Sequence, residues 1–182
     1  MNSLVIFLLL SIPLIIISRK NLFEPKSHGF YRFWSWECNI LLFSYNYPYW
    51  FTDPFSIVQI ISWVFLILSV YLVISGVITL RSGRKSSKTR EDKNLYQFEQ
   101  TTELVESGIY RFIRHPMYAS LLFLTWGIWL KNPTFVLLIV ALVSTIMLYI
   151  TARLDEKECI LFFGDKYVQY MQKTKRFIPY IF

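Results

Sequence analysis

Long apolar runs decide what this chain can become. Asn2 to Ser18, Phe55 to Leu80, Met117 to Leu130 and Phe135 to Ile150 are almost free of charge, and the Lys and Arg residues fall between them. As a helix, Phe55 to Leu80 measures about 39 Å, enough to cross a bilayer with some tilt. With 54% hydrophobic and 19% aromatic residues in 182, there is more apolar surface than a soluble domain of this size can bury. The expectation is one membrane-embedded, all-α unit. Met117 to Leu130 and Phe135 to Ile150, joined by Lys131-Asn132-Pro133, form a helical hairpin crossing twice.

The first run is followed directly by Arg19 and Lys20. A secretory leader carries its positive charge before the apolar stretch instead, so this is expected to be a retained helix. Trp36 to Phe51 contains Glu37, Asn39, Asn46 and Pro48 and is a poor span by hydropathy. Charge placement decides in its favour. If it crosses, 18 of the 19 basic residues lie on the inner side and only Lys131 lies outside, as the positive-inside tendency favours. The expected architecture is therefore a multi-pass bundle of about five spans with its N-terminus outside. Residues 1–80 hold three spans, 81–103 form a polar cytosolic linker, and 104–182 form a core ending in a cytosolic amphipathic helix.

The net charge of +7 does not indicate nucleic acid, because the basic residues flank apolar runs instead of sharing one polar face. Cys38, Cys159, His28 and His115 are too few and too scattered for a zinc site or a disulfide framework, so no metal partner is expected. Each cysteine reads as a small packing residue.

Chemistry concentrates in two places. Residues 104 to 118, Leu-Val-Glu-Ser-Gly-Ile-Tyr-Arg-Phe-Ile-Arg-His-Pro-Met-Tyr, form a polar, aromatic and basic elbow that leads into a lipophilic helix. Arg114 and His115 stand at its mouth, a costly position unless partnered, and Pro116 suits the first turn of the helix. After Ile150 the chain becomes amphipathic, with Asp155-Glu156-Lys157-Glu158 followed by Ile160, Phe163, Tyr167, Tyr170 and Met171, interrupted at Gly164. That pattern suits an interfacial helix or a wall over a site at the inner face. Tyr167 and Tyr170 read as interfacial aromatics.

Leu104-Val105, Gly108, Tyr110 and Arg114-His115-Pro116-Met117-Tyr118, joined at this spacing to Asp155-Glu156, Phe163-Gly164, Tyr167, Tyr170 and Arg176-Phe177-Ile178-Pro179, resemble the isoprenylcysteine carboxyl methyltransferase family of integral membrane methyltransferases. The resemblance covers about residues 95 to 182. It implies a five-helix enzyme that takes S-adenosylmethionine from the cytosol and a lipophilic methyl acceptor from the bilayer, the family precedent being the carboxylate of a prenylated cysteine. It implies cofactor binding by Leu104, Val105, Tyr110, His115, Pro116, Met117, Tyr118 and Asp155, with Glu156 as second member of the acidic pair. Gln97 or Gln100 would add a contact from the preceding loop. Arg114, Thr151, Arg153 and Arg176 are the acceptor-side candidates, and no residue is singled out as catalytic.

The residue types suit that chemistry. Aromatic faces attract a sulfonium, a carboxylate suits an α-amine, and a carboxylate acceptor ionised at neutral pH needs no general base. Two positions depart from the family pattern: Asp155-Glu156 stands where Glu-Glu is usual, and Thr151 where an arginine implicated in holding the acceptor carboxylate is usual. Arg153 lies about 200° around the helix from Asp155 and is a poor stand-in. Phospholipid or isoprenoid-lipid methylation and an NADPH-dependent membrane reductase are the alternatives.

Overall fold

The computed structural model describes residues 2–82 and 103–181. Most of the expected linker, with Gln97 and Gln100, lies outside them. Six helices follow in order: α1 (Ser3–Leu22), α2 (His28–Asn46), α3 (Ile57–Ser82), α4 (Pro116–Trp129), α5 (Phe135–Phe163) and α6 (Asp165–Lys173). Short 3-10 turns at Tyr47–Tyr49 and Gly108–Arg111 complete the described elements.

A helix is present at each of the five expected spans, but the five are not equal. Three of them, α1, α3 and α5, are long and apolar enough to cross a membrane. The second is long enough but carries a buried polar stripe, and α4 has 14 residues, about 21 Å of helix. Two boundaries differ from expectation. The second helix starts at His28, not near Trp36, because Ser27 caps it by accepting from the Phe30 amide at 3.3 Å. The last apolar run continues as α5 through the acidic turn to Phe163, so Asp155 to Glu158 extend a membrane helix and do not begin a new one. Its end is set by Gly164, whose φ of 62° is open to glycine without strain.

The bundle is built from α3 against α4, α2 against α5 and α1 against α2. Small hydroxyls and amides pin the inner faces. Ser35 and Ser144 hydroxyls lie 2.9 Å apart, Thr125 bonds to Asn39 Oδ1 at 3.1 Å, and Asn46 Nδ2 donates to the Ile128 carbonyl at 2.8 Å. Polar contacts of this kind hold helices together where lipid removes the usual hydrophobic drive. At the far end Lys131 Nζ lies 3.8 Å from the Trp63 ring centre and donates to Gln59 Oε1 at 3.1 Å, a cation held by an aromatic face and an amide. Ile16, Ile17, Ile67 and Ile78 point outward and are exposed, as lipid-facing side chains should be. The connections alternate, so the N-terminus of α2, the C-termini of α3 and α5 and the start of α4 share one end of the bundle.

Candidate functional site

The elbow is fixed at that end by two devices. Gly108 has φ 57°, and a Cβ there would stand 2.6 Å from Thr79 Oγ1, so only glycine lets the chain pass α3 this closely. The C-terminal tail then lies beside the elbow like a short strand. Arg114 N donates to the Lys175 carbonyl at 2.8 Å, His115 N to the Arg176 carbonyl at 3.2 Å, and Lys175 N to the Phe112 carbonyl at 3.1 Å. Pro116 opens α4 without losing a hydrogen bond.

Between the elbow, α5 and α6 lies a half-open cavity of about 100 Å³. Its lining brings together eight of the residues expected to hold a cofactor: Leu104, Val105, Tyr110, His115, Pro116, Met117, Tyr118 and Asp155, together with Arg114. Five further residues, not among those expected to hold the cofactor, complete the lining. Leu80 comes from α3; Cys159 and Phe163 follow Asp155 at i+4 and i+8 on α5, a spacing that puts all three on one helical face; Tyr167 and Tyr170 come from α6. Burial pushes both phenols above their ordinary range, so they present neutral aromatic faces. Tyr170 also donates to the Tyr110 carbonyl at 2.7 Å, tying α6 to the elbow.

Asp155 and Glu156 are neighbours with different surroundings. Asp155 receives the Tyr118 hydroxyl at 3.0 Å and lies 3.5 Å from His115 Nδ1, at the cavity wall. Glu156 is not part of the lining. Its carboxylate accepts from Arg114 Nε at 2.9 Å and from Arg176 Nε and Nη2 at 3.1 and 2.8 Å. Arg114 spends its remaining donors on the Met171 and Thr174 carbonyls. Two guanidiniums and a carboxylate thus join the elbow, α5 and the tail. The His115 ring stacks on Tyr118 with centroids 5.2 Å apart. Burial disfavours its charge, but Asp155 and Glu156 on either side outweigh burial and raise its pKa above the ordinary value.

The acceptor-side candidates do not gather at the cavity: Arg176 joins Arg114 at Glu156 and lies, like Arg153, over the Tyr149 ring. Thr151 is fully buried and donates to the Met147 carbonyl at 2.8 Å. Arg153 is exposed and lies over the Tyr149 ring. Of the four, only Arg114 reaches the cavity.

A sequence model of phospholipid methyltransferases matches residues 59–168. The chain belongs to the phospholipid methyltransferase family. Among similar proteins are a probable protein-S-isoprenylcysteine O-methyltransferase of Oryza sativa subsp. indica, 29% identical over 78% of this chain and 68% of the relative, and the protein-S-isoprenylcysteine O-methyltransferase of Schizosaccharomyces pombe, 32% identical over 70% and 52%. Methanethiol S-methyltransferase 1 of Bradyrhizobium diazoefficiens is 35% identical over 40% of the chain, which spans only 25% of that relative. No solved structure matches the chain. Relatives named for isoprenylcysteine methylation bear out the resemblance carried by the elbow and the acidic pair. The phospholipid methyltransferase match runs from α3 into α6, and every cavity-lining residue except Tyr170 lies within it. Both α1 and α2 lie outside.

Proposed function

We propose that this protein is a membrane methyltransferase that binds S-adenosylmethionine in the cavity between elbow, α5 and α6 and methylates a lipophilic acceptor arriving from the bilayer. The observation that carries this is the cavity lining itself, where an anionic wall at Asp155 meets aromatic faces from Tyr110, Tyr118, Phe163, Tyr167 and Tyr170. The donor set fits the cofactor: a carboxylate for the α-amine, aromatic faces for the sulfonium, and Leu104 and Val105 for the adenine plane. When bound, the cofactor supplies an activated methyl group. The protein's part is to align that group and exclude water, with His115 and Tyr118 holding Asp155 in place.

For the acceptor, the relatives support the carboxylate of a prenylated cysteine. A thiol is the second reading, favoured by the commitment of Arg114 to Glu156 and to backbone carbonyls, which leaves it poorly disposed to clamp an acceptor carboxylate. That commitment also counts against NADPH, whose phosphates need basic side chains. The basic-residue partition supports a cytosolic site and an outside N-terminus.

Two measurements test the proposal. Purified protein in detergent should bind S-adenosylhomocysteine and not NADPH; the reverse result rejects it. Membranes given methyl-labelled S-adenosylmethionine should incorporate label into lipid or lipidated product. Release of that label as methanol by mild base marks a methyl ester, and resistance to base excludes one.

A further inference from the structure

His28 heads α2, outside the segment that matches the phospholipid methyltransferase model, yet it reaches the acidic turn of α5. The imidazole is fully buried, and its Nδ1 lies 2.7 Å from Glu158 Oε2. One ligand-capable atom from each of His28, Asp155 and Glu158 lies within 4.8 Å of the others. The 2.7 Å contact is a direct hydrogen bond; two ligands of one tetrahedral zinc ion would stand about 3.3 Å apart. The chain's two histidines therefore flank Asp155, His115 from the elbow and His28 from α2.

We propose that His28 is a positioning residue: by pairing with Glu158 it keeps that carboxylate from sharing a proton with Asp155, so that Asp155 meets the cofactor's α-amine fully ionised. This rests on the cavity being the S-adenosylmethionine site. Two carboxylates this close, in a partly buried site, do not both stay ionised easily unless a cation stands with them, and one proton then becomes common to the pair. Every element around Asp155 contributes to its field. Tyr118 and His115 face it from the elbow and α4, Cys159 Sγ lies 3.6 Å away on α5, and the Tyr167 phenol approaches from α6. Glu156, the adjacent carboxylate, is neutralised by Arg114 and Arg176. Glu158 is the remaining carboxylate of the acidic turn, and His28, with Arg32 one turn further along α2, is the basic side chain hydrogen-bonded to it.

The test uses two ligands. S-adenosylhomocysteine keeps the α-amine, whereas 5′-methylthioadenosine lacks the amino-acid tail. In His28→Gln, S-adenosylhomocysteine affinity should fall about tenfold on the acidic side of neutrality and recover as pH rises, while methylthioadenosine binds as to the native protein. Removing the competing carboxylate should restore a native, flat profile, so Glu158→Gln alone and His28→Gln with Glu158→Gln must both bind S-adenosylhomocysteine normally. Equal weakening of both ligands in His28→Gln, a native profile in that variant, or failure of Glu158→Gln to bind would overturn the proposal and leave the cavity assignment standing. Failure of the native protein to bind S-adenosylhomocysteine overturns both.

Discussion

Replacing Glu156 and replacing Asp155 should damage the protein in opposite ways, although the two are adjacent on α5. Glu156 meets two guanidiniums through contacts of 2.8 to 3.1 Å. Its side chain is 6% exposed and that of Arg114 8%, while Arg176 keeps 17%. Removing one member of a buried ion pair typically costs about 3–5 kcal/mol, because the partner charge is left desolvated. Glu156→Ala belongs at the lower end of that range, since Arg176 can regain water. In a protein of this size each kcal/mol shifts the midpoint by about 2–4 °C, so Tm should drop by roughly 6–12 °C. Glu156→Gln keeps shape and one acceptor and should lose about half as much. Asp155→Ala leaves the brace intact and releases the Tyr118 hydroxyl, His115 and the Cys159 thiol at the edge of a cavity. It should melt within about 3 °C of native and fail to bind S-adenosylhomocysteine. Thermal unfolding in detergent, followed by tryptophan fluorescence, and calorimetric binding measure the two quantities separately. If Glu156→Ala melts like the native protein yet binds no ligand, Glu156 is a ligand contact and the brace assignment is wrong.

Four further outcomes are expected. His115→Ala should weaken S-adenosylhomocysteine binding by roughly 10- to 100-fold through loss of a charge-assisted contact. Because the folded protein raises the His115 pKa, its pairing with Asp155 and Glu156 stabilises the fold below the ordinary histidine value and is lost as pH rises through the raised one; Tm of the native protein should fall across that window, and His115→Gln should flatten the slope. Thr151→Arg should not create a carboxylate site: Thr151 is fully buried, so the longer, charged side chain overpacks the helix interface at a cost of about 1–3 kcal/mol or more, and a lower Tm without improved turnover of prenylcysteine acceptors is the result to look for. Impermeant thiol labelling of single-cysteine variants should modify position 132 from outside and spare position 173; outside labelling at 173 rejects the cytosolic placement of the site.

What could be read from the chain alone follows from the range of the interactions involved. Apolar runs report helices directly, since only burial in lipid suits them, and the elbow was legible because Gly108, Pro116 and the aromatic residues between them act within a few residues of one another. The start of α2 was hidden because its Ser27 cap precedes a stripe of His28, Arg32, Ser35 and Asn39 that looks soluble until α5 covers it. The length of α5 was hidden for a related reason. Charges at Asp155 to Glu158 resemble the end of a span, but the helix stops only where Gly164 turns it. The division of labour within the acidic pair depends on 100° of helical rotation, which decides whether a carboxylate meets the cavity or the two arginines, and no local pattern records it. His28 is the extreme case, its partner being 130 residues away. A histidine at the head of a helix is unremarkable by itself. Its reach depends on α2 and α5 packing along a shared polar seam, which brings a side chain from outside the family-matched segment to Glu158, the carboxylate beside Asp155.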